Sequence, residues 1–389
     1  MEVKTAIAVV RPPPISNVLS WIEGRKFPTE KPLLDVAQAV PSYPPANALR
    51  NYLSDCAKQE DTALYTDIAG LSRLRQALAV HLSSDYGGNI KAEQIAITAG
   101  CNQAFCVAVD TLAGPGDEII IPLPYYFNHH MWLTMRSIAP KYVPFHRNGP
   151  TAESIAPLIT EKTRAIALTS PNNPTGLEYS PETITKIYDL AVEKNIALIV
   201  DETYKDFRSN PGPPHSVFQQ DNWPENYIHL YSFSKAYALT GYRIGAITTN
   251  ANFISHVEKV LDCLTICASH ISQLAALYGL ENLGSWKNTR AVETRDKMAY
   301  LKQSFQNQHL KYELVSSGAY FAYIKHPFSK SSDIVAEQLA RQQNVLCLPG
   351  TMFGPEQQNY LRFAFANLQT HDIPELVERL ILSQNHSTT

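Results

Sequence analysis

Tyr227-Ile-His-Leu-Tyr-Ser-Phe-Ser-Lys-Ala-Tyr-Ala-Leu-Thr-Gly-Tyr-Arg243 opens as an apolar, strand-like run and ends in a crowded polar turn. The turn sets Lys235 beside the hydroxyls of Ser232 and Ser234, with Arg243 eight positions after the lysine. Such a turn is a poor place for a solvated surface lysine. It suits an amine that must shed its proton and attack a carbonyl. Hydroxyls and a guanidinium close by also suit a phosphate, which needs several donors and positive charge.

Working outward, the same sequence of buried strand and polar turn recurs. Ala197-Leu-Ile-Val-Asp201 ends in an acid and continues through Glu202-Thr-Tyr204. Arg164-Ala-Ile-Ala-Leu-Thr169 runs into Ser170-Pro-Asn-Asn-Pro-Thr-Gly176, a turn with two prolines and a glycine. Gln94-Ile-Ala-Ile-Thr98 leads through Ala99-Gly100-Cys101-Asn102 into an apolar helix expected from Gln103 to Leu112. Further strands are expected at Ile119–Pro122, Tyr142–Phe145 and Ile244–Thr248. Strands alternating with helices from about residue 46 to 285 predict an α/β fold: a large, doubly wound, mostly parallel sheet with helices on both faces. Such sheets collect ligand groups at the carboxyl ends of their strands.

A lysine nucleophile beside a phosphate clamp is the chemistry of pyridoxal phosphate, whose aldehyde is held as a Schiff base. Its ring nitrogen needs an anion to stay protonated, and Asp201 is the candidate. Tyr204 is placed to donate to the ring's phenolic oxygen. Asn173, held extended before Pro174, has an amide for the cofactor oxygen and a substrate carboxylate. Backbone amides at Gly100-Cys101-Asn102 suit the phosphate, and no Walker-type lysine follows them, which argues against a nucleotide triphosphate. Plainer readings stand beside these: Asp201 as a helix cap, Asn173 as a turn former, Tyr204 and Tyr126 as ordinary half-buried aromatics, Arg362 as a surface charge.

The ordered set Gly100-Cys-Asn, Pro124-Tyr-Tyr126, Asn173-Pro-Thr-Gly176, Asp201-Glu-Thr-Tyr204, Ser232-Phe-Ser-Lys235 and Arg243 resembles the class I/II aminotransferases, the fold type I pyridoxal-phosphate enzymes related to aspartate aminotransferase. The likeness runs from Tyr65-Thr-Asp-Ile-Ala-Gly70 to Tyr360-Leu-Arg362. It implies that Lys235 carries the Schiff base and shuttles the substrate proton. It implies that Ser232, Ser234, Arg243 and the Gly100–Asn102 amides hold the phosphate, and that Tyr126 stacks on the ring where many relatives carry tryptophan. Tyr65 would reach the phosphate in a neighbouring subunit, making a homodimer the functional unit. Arg362 would grip the substrate α-carboxylate. The family's N-terminal Gly-Glu-Pro reads Ala39-Val40-Pro41 here, so Ala39 and Val40 border the substrate side chain in an altered form. No arginine is assignable to a distal substrate carboxylate; Arg290 and Arg295 lie on a polar helical stretch. The expected reaction passes an amino group from an L-amino acid to a 2-oxo acid by a ping-pong route. Elimination or cyclisation on the same scaffold is the alternative, and a third reading is a regulator that borrows this fold to sense the cofactor.

Composition narrows the field. The 389 residues predict more than one packed unit: an N-terminal arm over 1–45 joining a smaller C-terminal α/β domain over 286–389, around a large domain over 46–285. In the smaller domain, strands are expected at Tyr312–Val315, Gly318–Lys325, Val345–Leu348 and around Arg362, with helices at Ser332–Gln342 and Ile373–Leu382. A net charge of −3 supplies no general footprint for nucleic acid. No apolar stretch is long enough to span a bilayer. The N-terminal run lacks the apolar core and cleavage site of an export signal, and the first 45 or so residues, rich in proline, show no helix-turn-helix that a DNA-binding regulator would need. Six scattered cysteines fit a reducing cytoplasm. The pair His129-His130 lacks partners at metal-ligand spacing and reads as packing or pocket residues; no metal is expected. Cys101 is expected to contribute its amide rather than its thiol. The polar tail Ser383–Thr389 is expected to fray.

Overall fold

Side chains of the central strands alternate between two cores, as a pleated strand buried on both faces requires. Ile95, Ile97, Ile166, Leu168, Leu198 and Val200 face one core, and Ala96, Ala165, Ala167, Ala197 and Ile199 face the other. Helices Ser72–Tyr86, Pro181–Glu193 and His270–Asn282 cover the first face. Helices Cys101–Leu112, Phe127–Met135 and Ala251–Thr265 cover the second. This computed structural model describes residues 1–386; of the polar tail, 387–389 lie outside the described residues, and the chain before them forms helix to Ser383 and a 3₁₀ turn at Gln384–His386.

Seven strands make the larger sheet, in the spatial order Ile95–Thr98, Gly245–Thr248, Tyr227–Ser232, Ala197–Asp201, Thr163–Thr169, Glu118–Pro122 and Ala139–Val143. Neighbours run parallel except at Gly245–Thr248, which is antiparallel to both strands beside it. The sheet is α/β and mostly parallel, as expected. Its last strand lies earlier than Tyr142–Phe145, because pairing with Glu118–Pro122 sets its register from Ala139.

A second sheet, wholly antiparallel, runs Leu348–Pro349, Tyr360–Phe363, Phe321–Lys325, Glu313–Gly318. It packs with helices Ser332–Gln343 and Asp372–Ser383 over a separate core that includes Ile324, Leu339, Phe363 and Leu376. The segment Gly318–Lys325 is not one strand: Gly318 pairs with Phe321, leaving Ala319 and Tyr320 as a two-residue hairpin turn. Nor is Val345–Leu348 continuous. Val345 and Leu346 pair in parallel with Leu34 and Asp35, while Leu348 and Pro349 turn to pair with Arg362 and Leu361.

One close approach locks the two sheets together. A Cβ on Gly318 would stand 2.1 Å from the carbonyl oxygen of Gly176. Only two glycines let these backbones meet, and their meeting sets the Asn173 turn against the hairpin beside the Arg362 strand.

Candidate active site

Six strands of the large sheet run in one sense, so Thr98, Thr169, Asp201 and Ser232 end at the same edge. The antiparallel strand starts at that edge, which brings Arg243, two residues before Gly245, to the turn carrying Lys235. The smaller sheet closes over this edge with Arg362. The result is a cavity of about 380 Å³. Of the residues singled out in the sequence, it is lined by Ala39, Val40, Cys101, Asn102, Tyr126, Asn173, Asp201, Tyr204, Ser232, Ser234, Lys235, Arg243 and Arg362. Gly100 lies directly behind: its φ is +91°, and a Cβ there would stand 2.3 Å from Arg243 Nη2. Glycine is required at that position on both counts. Tyr65 is the exception, 76% exposed and outside its own chain's cavity.

Lys235 is half-buried, with its Nζ donating to the Ala39 carbonyl. Burial, with Arg243 and Arg362 nearby, brings its pKa down from 10.5 to about 7. At neutral pH a large share of this amine is therefore unprotonated and able to act as nucleophile or base.

Asp201 is buried under three neighbours. Its Oδ1 accepts from the Thr203 amide at 3.0 Å, the Thr203 hydroxyl at 2.7 Å and the Cys101 thiol at 3.4 Å. His129 Nε2 stands 3.3 Å from Oδ2, without the alignment of a hydrogen bond. Burial pushes the carboxyl up, but His129 and the Thr203 donors outweigh it and hold Asp201 below the usual carboxylate range. Asp201 stays an anion.

Arg362 is buried, and burial brings its pKa down to about 10. Its Nη1 donates to Asn173 Oδ1 at 3.1 Å and its Nη2 to the Ala37 carbonyl, while Nε has no partner. Phe321 and Phe353 lie under the guanidinium at 5.0 and 5.4 Å. Tyr204 packs edge-on to Phe321 at 5.0 Å, and burial raises its hydroxyl well above the ordinary tyrosine value, so it remains a proton donor. The Tyr126 hydroxyl donates to Asn102 Oδ1 at 3.2 Å.

The model of the family described as aminotransferase class I and II matches residues 27–380. The chain belongs to the class I and II aminotransferases. Among relatives, an aromatic aminotransferase of Arabidopsis thaliana is 29% identical over 361 residues, covering 89% of this chain and 88% of that one. An aspartate aminotransferase of Sulfurisphaera tokodaii is 28% identical over 327 residues, 81% of each chain. The fold also matches that of Thermus thermophilus aspartate aminotransferase with maleate, at a TM-score of 0.89 and 24% identity over 98% of this chain and 100% of that one.

In this class I and II aminotransferase, two side chains at the site exceed the sequence reading. His129, read as a packing or pocket residue, approaches Asp201 and stacks on Phe105 with ring centres 3.7 Å apart. Its position three residues after Tyr126, on the helix Phe127–Met135, was the only available signal. Cys101, expected to contribute its amide rather than its thiol, turns its thiol to Asp201. Arg290 and Arg295 stay out of the cavity: Arg290 pairs with Glu293 at 2.7 Å, and Arg295 donates to the Arg208 carbonyl at 3.3 Å.

Proposed function

We propose that the chain is a pyridoxal-phosphate-dependent aminotransferase that passes an amino group from an L-amino acid to a 2-oxo acid in two half-reactions of a ping-pong cycle. The observation that carries this is the convergence, from segments far apart in sequence, of an amine with pKa about 7, a buried carboxylate anion, the buried Arg362 guanidinium and the exposed Arg243 guanidinium on one cavity.

The residues present fit the cofactor. Gly100, with its left-handed backbone pressed against Arg243, leaves the first turn of helix Cys101–Leu112 open at the cavity, where free amides and the helix dipole favour a phosphate. Arg243, Ser232 and Ser234 would complete that clamp, and Lys235 would hold the aldehyde carbon through Nζ. Asp201 would keep the ring nitrogen protonated, Tyr204 and Asn173 would serve the phenolic oxygen, and Tyr126 would face the ring. When bound, pyridoxal phosphate supplies an electron sink that acidifies the substrate's α-carbon.

The protein's own part is positioning and proton transfer. Arg362, with Asn173 already docked on Nη1, has an unpartnered Nε for the substrate α-carboxylate. Fixing that carboxylate would orient the α-C–H bond towards Lys235, whose Nζ, freed when the substrate amine takes its place, would accept that proton and give it back. Ala39 and Val40 border the substrate.

Tyr65 has no role within its own chain's cavity. It stands with exposed Leu64, Leu264 and Ile266 on one patch, joined where the Thr66 amide meets Cys267 Sγ at 3.4 Å. Such a patch supports a homodimer in which Tyr65 reaches the partner's phosphate. The division into arm 1–45, large domain 46–285 and small domain 286–389 is supported by the pairing of Leu34–Asp35 with Val345–Leu346. No described helix is long and apolar enough to cross a membrane. A cytoplasmic setting is supported by six cysteines, all free.

The test is reconstitution with pyridoxal phosphate, borohydride reduction and peptide mapping, alongside an assay of amino exchange with 2-oxoglutarate. The expected result is a label on Lys235 and exchange without ammonia release. A label elsewhere, or ammonia as the main product, rejects the reading.

A further inference from the structure

We propose that the preferred amino donor carries an uncharged, largely apolar side chain, selected by Ile15, Val40 and Phe127. This rests on the amino-transfer reading above and adds the substrate class to it.

The cationic side chains that this chain itself contributes to the cavity lining, among the described residues, are Lys235, Arg243 and Arg362. All three are spoken for, Lys235 by the aldehyde, Arg243 by the phosphate and Arg362 by the α-carboxylate. The arginines that lie nearest in sequence to a place for a second carboxylate are engaged elsewhere. Arg290 is held by Glu293 and lies over the Tyr43 ring at 5.1 Å, and Arg295 is turned to a backbone carbonyl. Arg11, on the arm segment that leads to Ile15, points to the Thr351 carbonyl at 3.5 Å on the far side of Phe127.

Ile15, Val40 and Phe127 line the cavity, with the Asn128 amide as a neutral polar neighbour. Phe127 is buried and also bounds a second cavity of about 580 Å³, so the charged Arg11, Asp333 and Glu356 that line that cavity with Tyr125 and Met131 lie beyond its ring. A distal carboxylate pressed here would lose its water without gaining a cation, which is costly. An apolar side chain gains by the same desolvation. The wall therefore favours leucine- or phenylalanine-like donors over aspartate.

The holoenzyme's binding of two unreactive carboxylates, 3-phenylpropionate and maleate, is to be compared by calorimetry, with kcat/KM for phenylalanine, leucine and aspartate measured in parallel. The expected result is at least tenfold tighter binding of 3-phenylpropionate, and at least tenfold higher kcat/KM for the apolar donors. In the variant Ile15→Arg, maleate should gain at least tenfold. Maleate binding as tightly as 3-phenylpropionate in the parent, or aspartate matching phenylalanine as donor, overturns the inference while leaving the enzyme reading intact. Unchanged maleate binding in Ile15→Arg removes Ile15 from the wall and overturns the stated selection. Absence of transfer from every donor overturns the enzyme reading and this inference with it.

Discussion

Lys235, half-buried, and Lys287, buried, are both amines withdrawn from water, and their surroundings drive them in opposite directions. Around Lys235 the charges are alike: burial and two arginines bring it down to about 7. Lys287 Nζ sits 2.6 Å from Asp206, in a cluster with Lys205, Asp85 and His81. Burial pulls Lys287 down too, but Asp206 outweighs it and lifts its pKa above 10.5. Asp206 is pushed up by burial and held well below its usual value by Lys205 and Lys287; it also accepts from the Tyr231 hydroxyl at 2.8 Å. His81, Asp85 and Asp206 lie close enough to surround a cation, yet two ammonium groups already supply that charge. Burial alone does not make an amine reactive. The absence of a carboxylate partner does.

The sharpest way to break this contrast is Lys235→Ala. On the proposed role of Lys235 in proton transfer, its loss should lower kcat by about 10⁴-fold, with the urea unfolding midpoint close to the parent's. Turnover within tenfold of the parent would make Lys235 no more important than Lys287. Next comes Asp206→Asn, which leaves two buried ammonium groups short of charge. It should cost about 3–5 kcal/mol in urea unfolding while the absorbance of bound cofactor in the folded fraction stays unchanged. Arg362→Lys should be milder. It removes the fork that holds Asn173 and is proposed to hold the substrate carboxylate, and should cost about 1.5–3 kcal/mol in kcat/KM, with the loss largely in KM.

The smallest effect is graded and concerns pH. Between pH 7 and 10.5, the unfolded chain keeps a proton on Lys235 that the folded apoprotein has released. The parent's stability relative to Lys235→Met should therefore rise across that window and level off on either side. Lys287 has the reverse sign: its folded pKa is raised, so its contribution is full below 10.5 and fades as pH climbs through the folded value. Denaturant titrations of Lys235→Met and Lys287→Met across pH 6–10 measure the first trend directly. Identical pH profiles for the two variants would erase the distinction.

Much of the site was legible because its parts are local. A lysine between serine hydroxyls, an acid at the end of Ala197–Asp201 and an asparagine before Pro174 each declare their chemistry within a few residues. The strands showed for a similar reason, since Ile95–Thr98 and Ala197–Asp201 are short apolar runs bounded by turns. The less legible parts depend on partners distant in the chain. His129 gives no local sign that it meets Asp201, 72 residues on. Val345–Leu348 reads as one strand, but Leu34–Asp35 claims Val345 and Leu346, and the Arg362 strand claims Leu348 with Pro349.

The amino-acid order by itself determined the alternation of strands and helices, the glycine at position 100 and the residue types gathered at the strand ends, because backbone preference and side-chain chemistry act over short range. Tertiary structure alone decided that Lys235 is near neutrality, that the Cys101 thiol and His129 flank Asp201, and that Tyr65 faces away from its own cavity. Those properties arise from desolvation and from groups that the fold brings together from separate segments, such as Lys235 with Arg362 and His129 with Asp201, and no short stretch of sequence contains them.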